Sequence, residues 1–385
     1  MAVFEKHDLN DVDLQYFEYL KEVLSGDRTN FRPAARTSAS TIGTFAKTME
    51  FDLSGGQLPM VTTKHIALKR TLMTEVVAFM RGEIDLKFYL DRGCNIWNGN
   101  GFDFNKDRLG EVMPEFAGLK KDTPEYDEAM AKYIGLVKED KISPEHRTLG
   151  RVYGKQWRDW DGKIDQLNRV VGSLVENPFS RYHLVTAWHP TEIADRKLSL
   201  PPCPMTYQFY PRRDEQSGRM CLDHMLLQRS CDSLLGVPFN ITHEALKNAV
   251  ISSIVGYEPG VFTHVLADAH IYCGVGDRAD FYRDNLSQLK GDVADANTPS
   301  QYAQIRDDIL NRAPEEVPGQ KGLDHVPYVL EQLTRNASNY SATVRVEGNP
   351  TIDNIDLENI VVSGYKGKKD VPELVIGGIK PKMAI

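Results

Sequence analysis

Apolar and polar positions alternate along the chain with two periods, one helical and one extended. In residues 11–25, Leu14, Phe17, Leu20 and Leu24 recur at helical spacing; Asp11 can cap the start and Gly26 can end it, which predicts an amphipathic helix. Residues 41–61 alternate as strands do, with a turn at Gly55-Gly56. Residues 66–81 predict a second helix closed by Gly82, with Leu68, Leu72, Val76 and Phe79 in one stripe. Glu75 lies three residues after Leu72 and four before Phe79, so it sits on or beside that buried stripe. HLVTAW (183–188), MTYQFY (205–210) and residues 219–229 predict strands, the last two joined by the polar turn RRDEQSG. HEALKNAVISSIV (243–255) predicts a helix too apolar to be exposed, and HVLADAHIYCGV (264–275) alternates.

Two stretches depart from this pattern. Residues 102–146 are rich in Lys, Asp and Glu, with a helical segment around Tyr126–Val137, and predict a solvated insertion. Residues 276–345 are again polar and helix-leaning. No Pro/Ser-rich linker and no internal repeat separates units. The expectation is one domain over 1–385 with insertions at about 102–146 and 276–345.

Composition narrows the class. The chain has 385 residues, 41% apolar and 26% charged, the balance of a soluble globular protein. No run reaches the ~18 apolar residues of a membrane helix. The opening MAVFEKHDLNDVDL lacks an apolar core, so no secretory signal is expected. A net charge of −8 argues against a general nucleic-acid partner but leaves room for a few arginines around a small anion. The five cysteines, Cys94, Cys203, Cys221, Cys231 and Cys273, are odd in number and contain no C-x-x-C pair. That argues against a disulfide framework or a zinc site and for a reducing cytoplasm; no metal is expected, and one thiol is a candidate nucleophile.

Three segments carry candidate chemistry. Cys203 sits in LPPCPMTYQFY, on a turn stiffened by proline on both sides and followed by a strand. This suits a nucleophile if a cation lowers its pKa, and equally a buried structural cysteine. In QRSCDSLLGVPFNI (228–241), Arg229 and Ser230 supply donors suited to phosphate, and Asp232 and Asn240 are polar among apolar neighbours. Asn240 fits either a base-reading amide or a turn residue capping the next helix. Asp268, His270 and Tyr272 share one strand face, which is either functional or simply half-solvated. No P-loop, dinucleotide fingerprint or H-E-x-x-H motif is present.

Together these segments resemble the thymidylate synthase family, which includes bacteriophage-type pyrimidine-nucleotide hydroxymethylases. The resemblance is carried by PMVTTKH (59–65), TEVVAFMRG (74–82), NIW (95–97), GRVYGKQW (150–157), PPC (201–203), QFY (208–210), QRSCDSLLGVPFNI, DAHIY (268–272) and the terminal Ala384-Ile385, in the family's order over roughly 200 residues. It implies an α/β (α+β) fold: a mixed sheet backed by helices, paired across the sheet face into a homodimer. It implies dUMP as substrate and 5,10-methylenetetrahydrofolate as one-carbon donor. By this resemblance Cys203 adds to C6 of the pyrimidine, Arg229 and Ser230 hold the phosphate, Arg36 closes on it, and Arg181 comes from the other subunit. Asn240 reads the base, His270 and Tyr272 meet the ribose, Glu75 organises proton transfer, and Tyr153 lies near C5. Asp232, Trp97 and Ile385 fall on the folate side, and Lys64 in the region of its glutamyl tail.

Asn at 240 favours uracil over cytosine, because the family's cytosine-using members carry Asp there. Other departures bear on how the methylene intermediate ends. Pro204 stands where the family usually has His, Asn100 where it has a second tryptophan, Tyr182 where it has a second arginine, Cys273-Gly274 where it has Asn-His, and KMAI where it has PVAI. Loss of an indole and an imidazole would reposition cofactor and water, whereas Trp97 and Ile385 argue for hydride. The expectation from these departures is a deoxyuridylate hydroxymethyltransferase. Thymidylate synthase is the alternative, and a non-catalytic nucleotide- or RNA-binding member a second one.

Overall fold

The computed structural model describes residues 9–35, 37–121, 123–338 and 340–383. Arg36 and Ile385, expected at the phosphate and the folate, lie outside the described residues. The strands are β1 (Asn30–Arg32), β2 (Thr41–Asp52), β3 (Gln57–Leu58), β4 (Leu184–Thr186), β5 (Pro204–Arg213), β6 (Met220–Asp232), β7 (Glu258–Tyr272), β8 (Ala342–Val346) and β9 (Ile360–Ser363). The helices are α1 (Asp11–Ser25), α2 (Met73–Arg81), α3 (Leu86–Asp91), α4 (Asn98–Gly110), α5 (Pro124–Lys138), α6 (Gly154–Arg158), α7 (Gln166–Glu176), α8 (Pro190–Ala194), α9 (Gly236–Val255), α10 (Asp277–Asp295), α11 (Pro299–Arg312) and α12 (Val326–Gln332). Among the described residues, no helix is long and apolar enough to cross a membrane.

Six strands form a mixed sheet in the order β1-β2-β7-β6-β5-β4, and β3, β8 and β9 form a small second sheet. Neighbours in the large sheet are antiparallel except β6 and β7. A parallel pair cannot be joined by a hairpin, and α9 is the crossover between them. This fixes where the chemistry collects. Pro204 pairs with Gln228, Ser230 with Asp268 and Asp232 with His270, so the start of β5 and the ends of β6 and β7 meet at one end of the sheet.

α9 begins at Gly236, seven residues before the predicted start, and so includes Asn240. Its buried positions include His243, Glu244, Lys247 and Asn248 as well as the apolar ones. A helix enclosed on all sides has no polar face to turn outward, so these four must find partners inside.

The helix predicted over 66–81 is π-helical over Leu68–Leu72 before α2 begins. Gly82 ends α2 at φ 71°, in the left-handed region that glycine enters without cost, and its amide caps the carbonyls of Ala78 and Phe79. α6 packs very closely on α2: a Cβ on Gly154 would lie 2.3 Å from the Phe79 carbonyl oxygen. That contact seats the Tyr153 ring 5.1 Å from Phe79.

The 102–146 segment corrects the expectation of a wholly solvated stretch. Phe102 lies 6.1, 5.1 and 5.4 Å from Phe116, Tyr126 and Tyr133, and all four rings are buried. The polar composition describes only the outer faces of its helices. Likewise α10 is pinned by Arg278, which bonds buried Asp324 at 2.7 Å.

Candidate active site

Burial sorts the five thiols. Cys94, Cys231 and Cys273 are enclosed, and burial pushes all three up, Cys94 to about 12. Cys221 is half-buried, and its thiol too is raised by desolvation. Cys203, also half-buried, lies 3.9 Å from the Arg229 Nη2 through Sγ. That guanidinium is aimed by the carbonyls of Pro201 and Pro202, which it meets at 3.4 and 3.2 Å, and it lies over the Trp188 ring. The Arg229 amide donates to the Cys203 carbonyl at 2.8 Å, so β6 holds both ends of the arrangement. A cation here favours thiolate over thiol.

Next to the thiol lies a cluster built from α2 and α6. The Tyr153 hydroxyl meets the backbone of Cys203; burial, with Cys203 and Glu75 nearby, pushes the phenol well above its ordinary value. Tyr153 therefore stays protonated as a hydrogen-bond donor. Burial also raises Glu75, against His243, the Trp97 indole and Lys247, which pull it down. Trp97 Nε1 donates to Glu75 Oε1 at 3.0 Å.

Asn240 lies in the second turn of α9. Its Oδ1 accepts from Gln228 Nε2 at 3.0 Å, and Gln228 Oε1 meets His264 Nε2 at 2.7 Å. Burial holds His264 down at about 4, so at neutral pH its ring is uncharged. A neutral ring that bonds a carbonyl oxygen through Nε2 carries its proton there. The chain of donors then runs one way, from His264 to Gln228 to Asn240, leaving Asn240 Nδ2 as a donor toward the site. The helix-capping role open in the sequence is not what the fold uses.

At the end of β7, His270 and Tyr272 are buried, so the half-solvated alternative does not hold for them. His270 Nδ1 bonds the Asp268 carbonyl at 3.1 Å, which leaves Nε2 as the outward atom. Burial works to raise Asp268, but His270 and Arg32 outweigh it and hold the carboxyl low. The Tyr272 ring lies 5.2 Å from His270 and 5.3 Å from His325. Ser230 pairs with Asp268 across the parallel register.

Asp232 Oδ1 accepts the amides of Leu234 and Leu235 at 3.1 Å. Its Oδ2 is buried without a hydrogen-bond partner among the described residues. Such an acceptor fits a ligand that brings N–H groups, as the pterin edge of a folate does. Two residues expected on the folate side, Lys64 and Trp97, are both buried. Lys64 is buried with its ammonium on the Leu234 carbonyl, where desolvation, partly offset by Asp232, lowers it to about 7. It points inward rather than toward a solvent-exposed glutamyl tail. Trp97 is buried against Phe79, Tyr89 and Tyr153 and is committed to Glu75. Arg181 is exposed before β4 and makes no ion pair among the described residues.

Among the described residues, one set of metal-ligand side chains converges, Asp161, His189 and Glu192. They are already engaged, His189 with Asp161 at 2.8 Å and Glu192 with Arg151 and Gln156. Sequence reasoning missed Gln228, His264, His243 and Glu244. The signal was present, because charged and amide residues punctuate segments otherwise apolar enough to be buried.

The arrangement can hold a small anion beside a reactive sulfur and hand protons to and from it. The chain belongs to the thymidylate synthase family, whose pattern it matches over residues 14–376. It is similar to the protein named thymidylate synthase in Haloferax volcanii, 33% identical over 332 residues that cover 86% of this chain and 88% of that protein. The one so named in Mycoplasma mobile is 37% identical over 262 residues, 67% of this chain and 80% of the relative. That of Saccharomyces cerevisiae is 32% identical over 316 residues, 78% and 89%.

Proposed function

We propose that the protein transfers a one-carbon unit to C5 of dUMP and completes it by hydride, giving dTMP and dihydrofolate. The observation that carries this is the Cys203 thiol beside the Arg229 guanidinium, together with an Asn240 amide oriented by Gln228, in a chain of this family. The relatives named above bear the synthase name, which supports the hydride ending over the hydroxymethyl one suggested by Asn100, Tyr182, Pro204 and Cys273-Gly274.

The chemistry follows from charge. C5 of uracil is a poor nucleophile. Addition of the Cys203 thiolate to C6 forms an S–C bond and pushes the electron pair toward C5 and O4. Asn240 Nδ2, left open by its bond to Gln228, is placed to donate to the O4 oxyanion. Arg229 and Ser230 hold the phosphate, joined by Arg36 as the family resemblance implies, and His270 and Tyr272 meet the ribose. When bound, 5,10-methylenetetrahydrofolate supplies the one-carbon unit and the hydride; Asp232 is its acceptor from this chain. Glu75 and Tyr153 handle the protons at O4 and C5, and loss of sulfur from C6 restores the ring.

The protein acts as a homodimer in this reading. Leu184, Tyr210, Met225, Leu227 and Val265 lie on the sheet face turned away from α9, and Phe179 and Tyr182 are exposed beside Arg181. Pairing through that face would cover them and carry Arg181 into the neighbouring site. The test is incubation with dUMP and methylenetetrahydrofolate. Dihydrofolate should form in step with dTMP; 5-hydroxymethyl-dUMP without dihydrofolate would establish the other ending, and no release of tritium from C5 would leave only a binding role.

A further inference from the structure

α9 carries a titratable side chain that these steps do not use. His243 is buried one turn beyond Asn240, its ring packed edge-on to Phe79 with centroids 5.6 Å apart. Its Nε2 faces Glu75 Oε2 at 3.8 Å, and its Nδ1 faces Glu244 Oε1 at 3.4 Å. That Nε2 is enclosed and has no hydrogen-bond partner among the described residues. Position 204, beside the thiol, is proline and offers no side-chain donor. The imidazole that reaches Glu75 therefore comes from α9.

We propose that His243 is a positioning residue for Glu75, an imidazole held from behind by Glu244 that fixes the orientation and protonation of the Glu75 carboxyl. This rests on the reading of Glu75 as the proton-handling carboxylate. Glu244 is itself anchored: Lys247 meets it at 2.8 Å, the Tyr207 hydroxyl at 3.3 Å and His224 at 3.7 Å. Lys247 is held in turn over the Tyr207 ring at 3.3 Å. The titratable groups around His243 are Glu75 from α2, Tyr153 at the start of α6, Tyr207 from β5, His224 from β6, His264 from β7, and Glu244 and Lys247 from α9 itself.

Burial works against the charge of Glu244, but Lys247 and the two imidazoles outweigh it and keep the carboxyl well below its usual range. An anion 3.4 Å from Nδ1 favours a proton on that nitrogen. Nε2 is then the atom that faces Glu75. At 3.8 Å from Glu75 Oε2 it acts on that carboxyl through charge rather than through a hydrogen bond. Trp97 keeps the other Glu75 oxygen in place.

The test titrates the Glu75 carboxyl by carbon-13 NMR in the full-length protein, without substrate, and measures the pH profile of tritium release from C5 of dUMP. In His243→Phe the Glu75 midpoint should rise by about one pH unit, because an opposing charge is lost while burial stays. kcat should fall about tenfold with KM for dUMP within about twofold, as for a group that acts on the chemical step. His243→Gln keeps a donor but cannot titrate: it should recover part of kcat and displace the acid limb of the profile. An unchanged Glu75 midpoint in both variants, or KM and kcat worsening together, would overturn the proposal. A wild-type protein that releases no tritium would overturn the reaction instead, and the carboxyl titration would still decide the role of His243.

Discussion

Asn240 shows how much of a residue's role is set by what stands behind it. An amide can present either its oxygen or its nitrogen, and the uncharged His264 settles which one through Gln228. Uracil offers an oxygen at C4 where cytosine offers an amino group, so an outward N–H selects uracil. Asn240→Asp replaces the donor by an acceptor, and the ratio of kcat/KM for dUMP to that for dCMP should fall about a hundredfold, on the order of 3 kcal/mol of discrimination. A ratio that stays put in steady-state assays of both nucleotides would end the base-reading role. The local pattern marked Cys203, Arg229 and Asn240 as candidates and left the roles of Cys203 and Asn240 open; the family resemblance supplied the roles. It did not show that Lys64 is buried or that Trp97 is bonded to Glu75, because neither residue type nor spacing says whether a side chain in a loop turns outward or in. Lys64 turned inward because the Leu234 carbonyl and Asp232 offered it partners.

At the level of elements, the fit of α6 on α2 decides where Tyr153 sits. The Cβ that Gly154→Ala adds would meet the backbone of Phe79 at 2.3–2.8 Å, a distance no side-chain rotation relieves. The helices would have to separate, at a cost of about 2–4 kcal/mol in urea unfolding, and Tyr153 would be drawn away from Cys203. Unaltered stability with unaltered kcat would mean that the contact is slack. Periodicity identified α1, the strands at β5 and β6 and the core of α9 well, since each has a single pattern running through it. It missed the first turns of α9, because Gly236 and Pro238 are usual helix breakers, although proline is tolerated in an opening turn. It also read 102–146 as solvated, because four aromatic rings spread over some thirty residues leave little mark on local composition.

Across the whole molecule, buried rings tie stability to pH. His224 and His264 flank Phe262 in a column, with centroids 4.6 and 5.3 Å from it, and burial lowers both histidines. For His264 the folded value is about 4, below the unfolded 6.5. Between those values the unfolded chain binds more protons than the folded one, so stability is full above the upper value and lost as pH falls through the window, by at most about 1.4 kcal/mol per pH unit for each such ring. His264→Phe should flatten urea-unfolding free energies between pH 6.5 and 4; an equally steep fall would show that the ring is not buried neutral. The proposed exchange of Arg181 between subunits has an arithmetic test. Subunits with Cys203→Ala and with Arg181→Ala, each inactive alone, would after mixing and reassortment form half heterodimers, each with one intact site, so that about a quarter of wild-type activity returns. No recovery would place Arg181 outside the neighbouring site.

The hairpin between β5 and β6 has a practical use. Its tip, around Asp214–Gly218, is exposed and closed by its own turn, with the Asp214 amide and carbonyl meeting Arg219 and Gly218. The proposed nucleophile lies before this tip, and the guanidinium proposed to activate it lies after. A chain severed there would separate the two into fragments, each inert until the strands zip together again. Product formation would then report on reassembly, so the same hairpin makes this enzyme a candidate split reporter for the meeting of any two proteins fused to its halves.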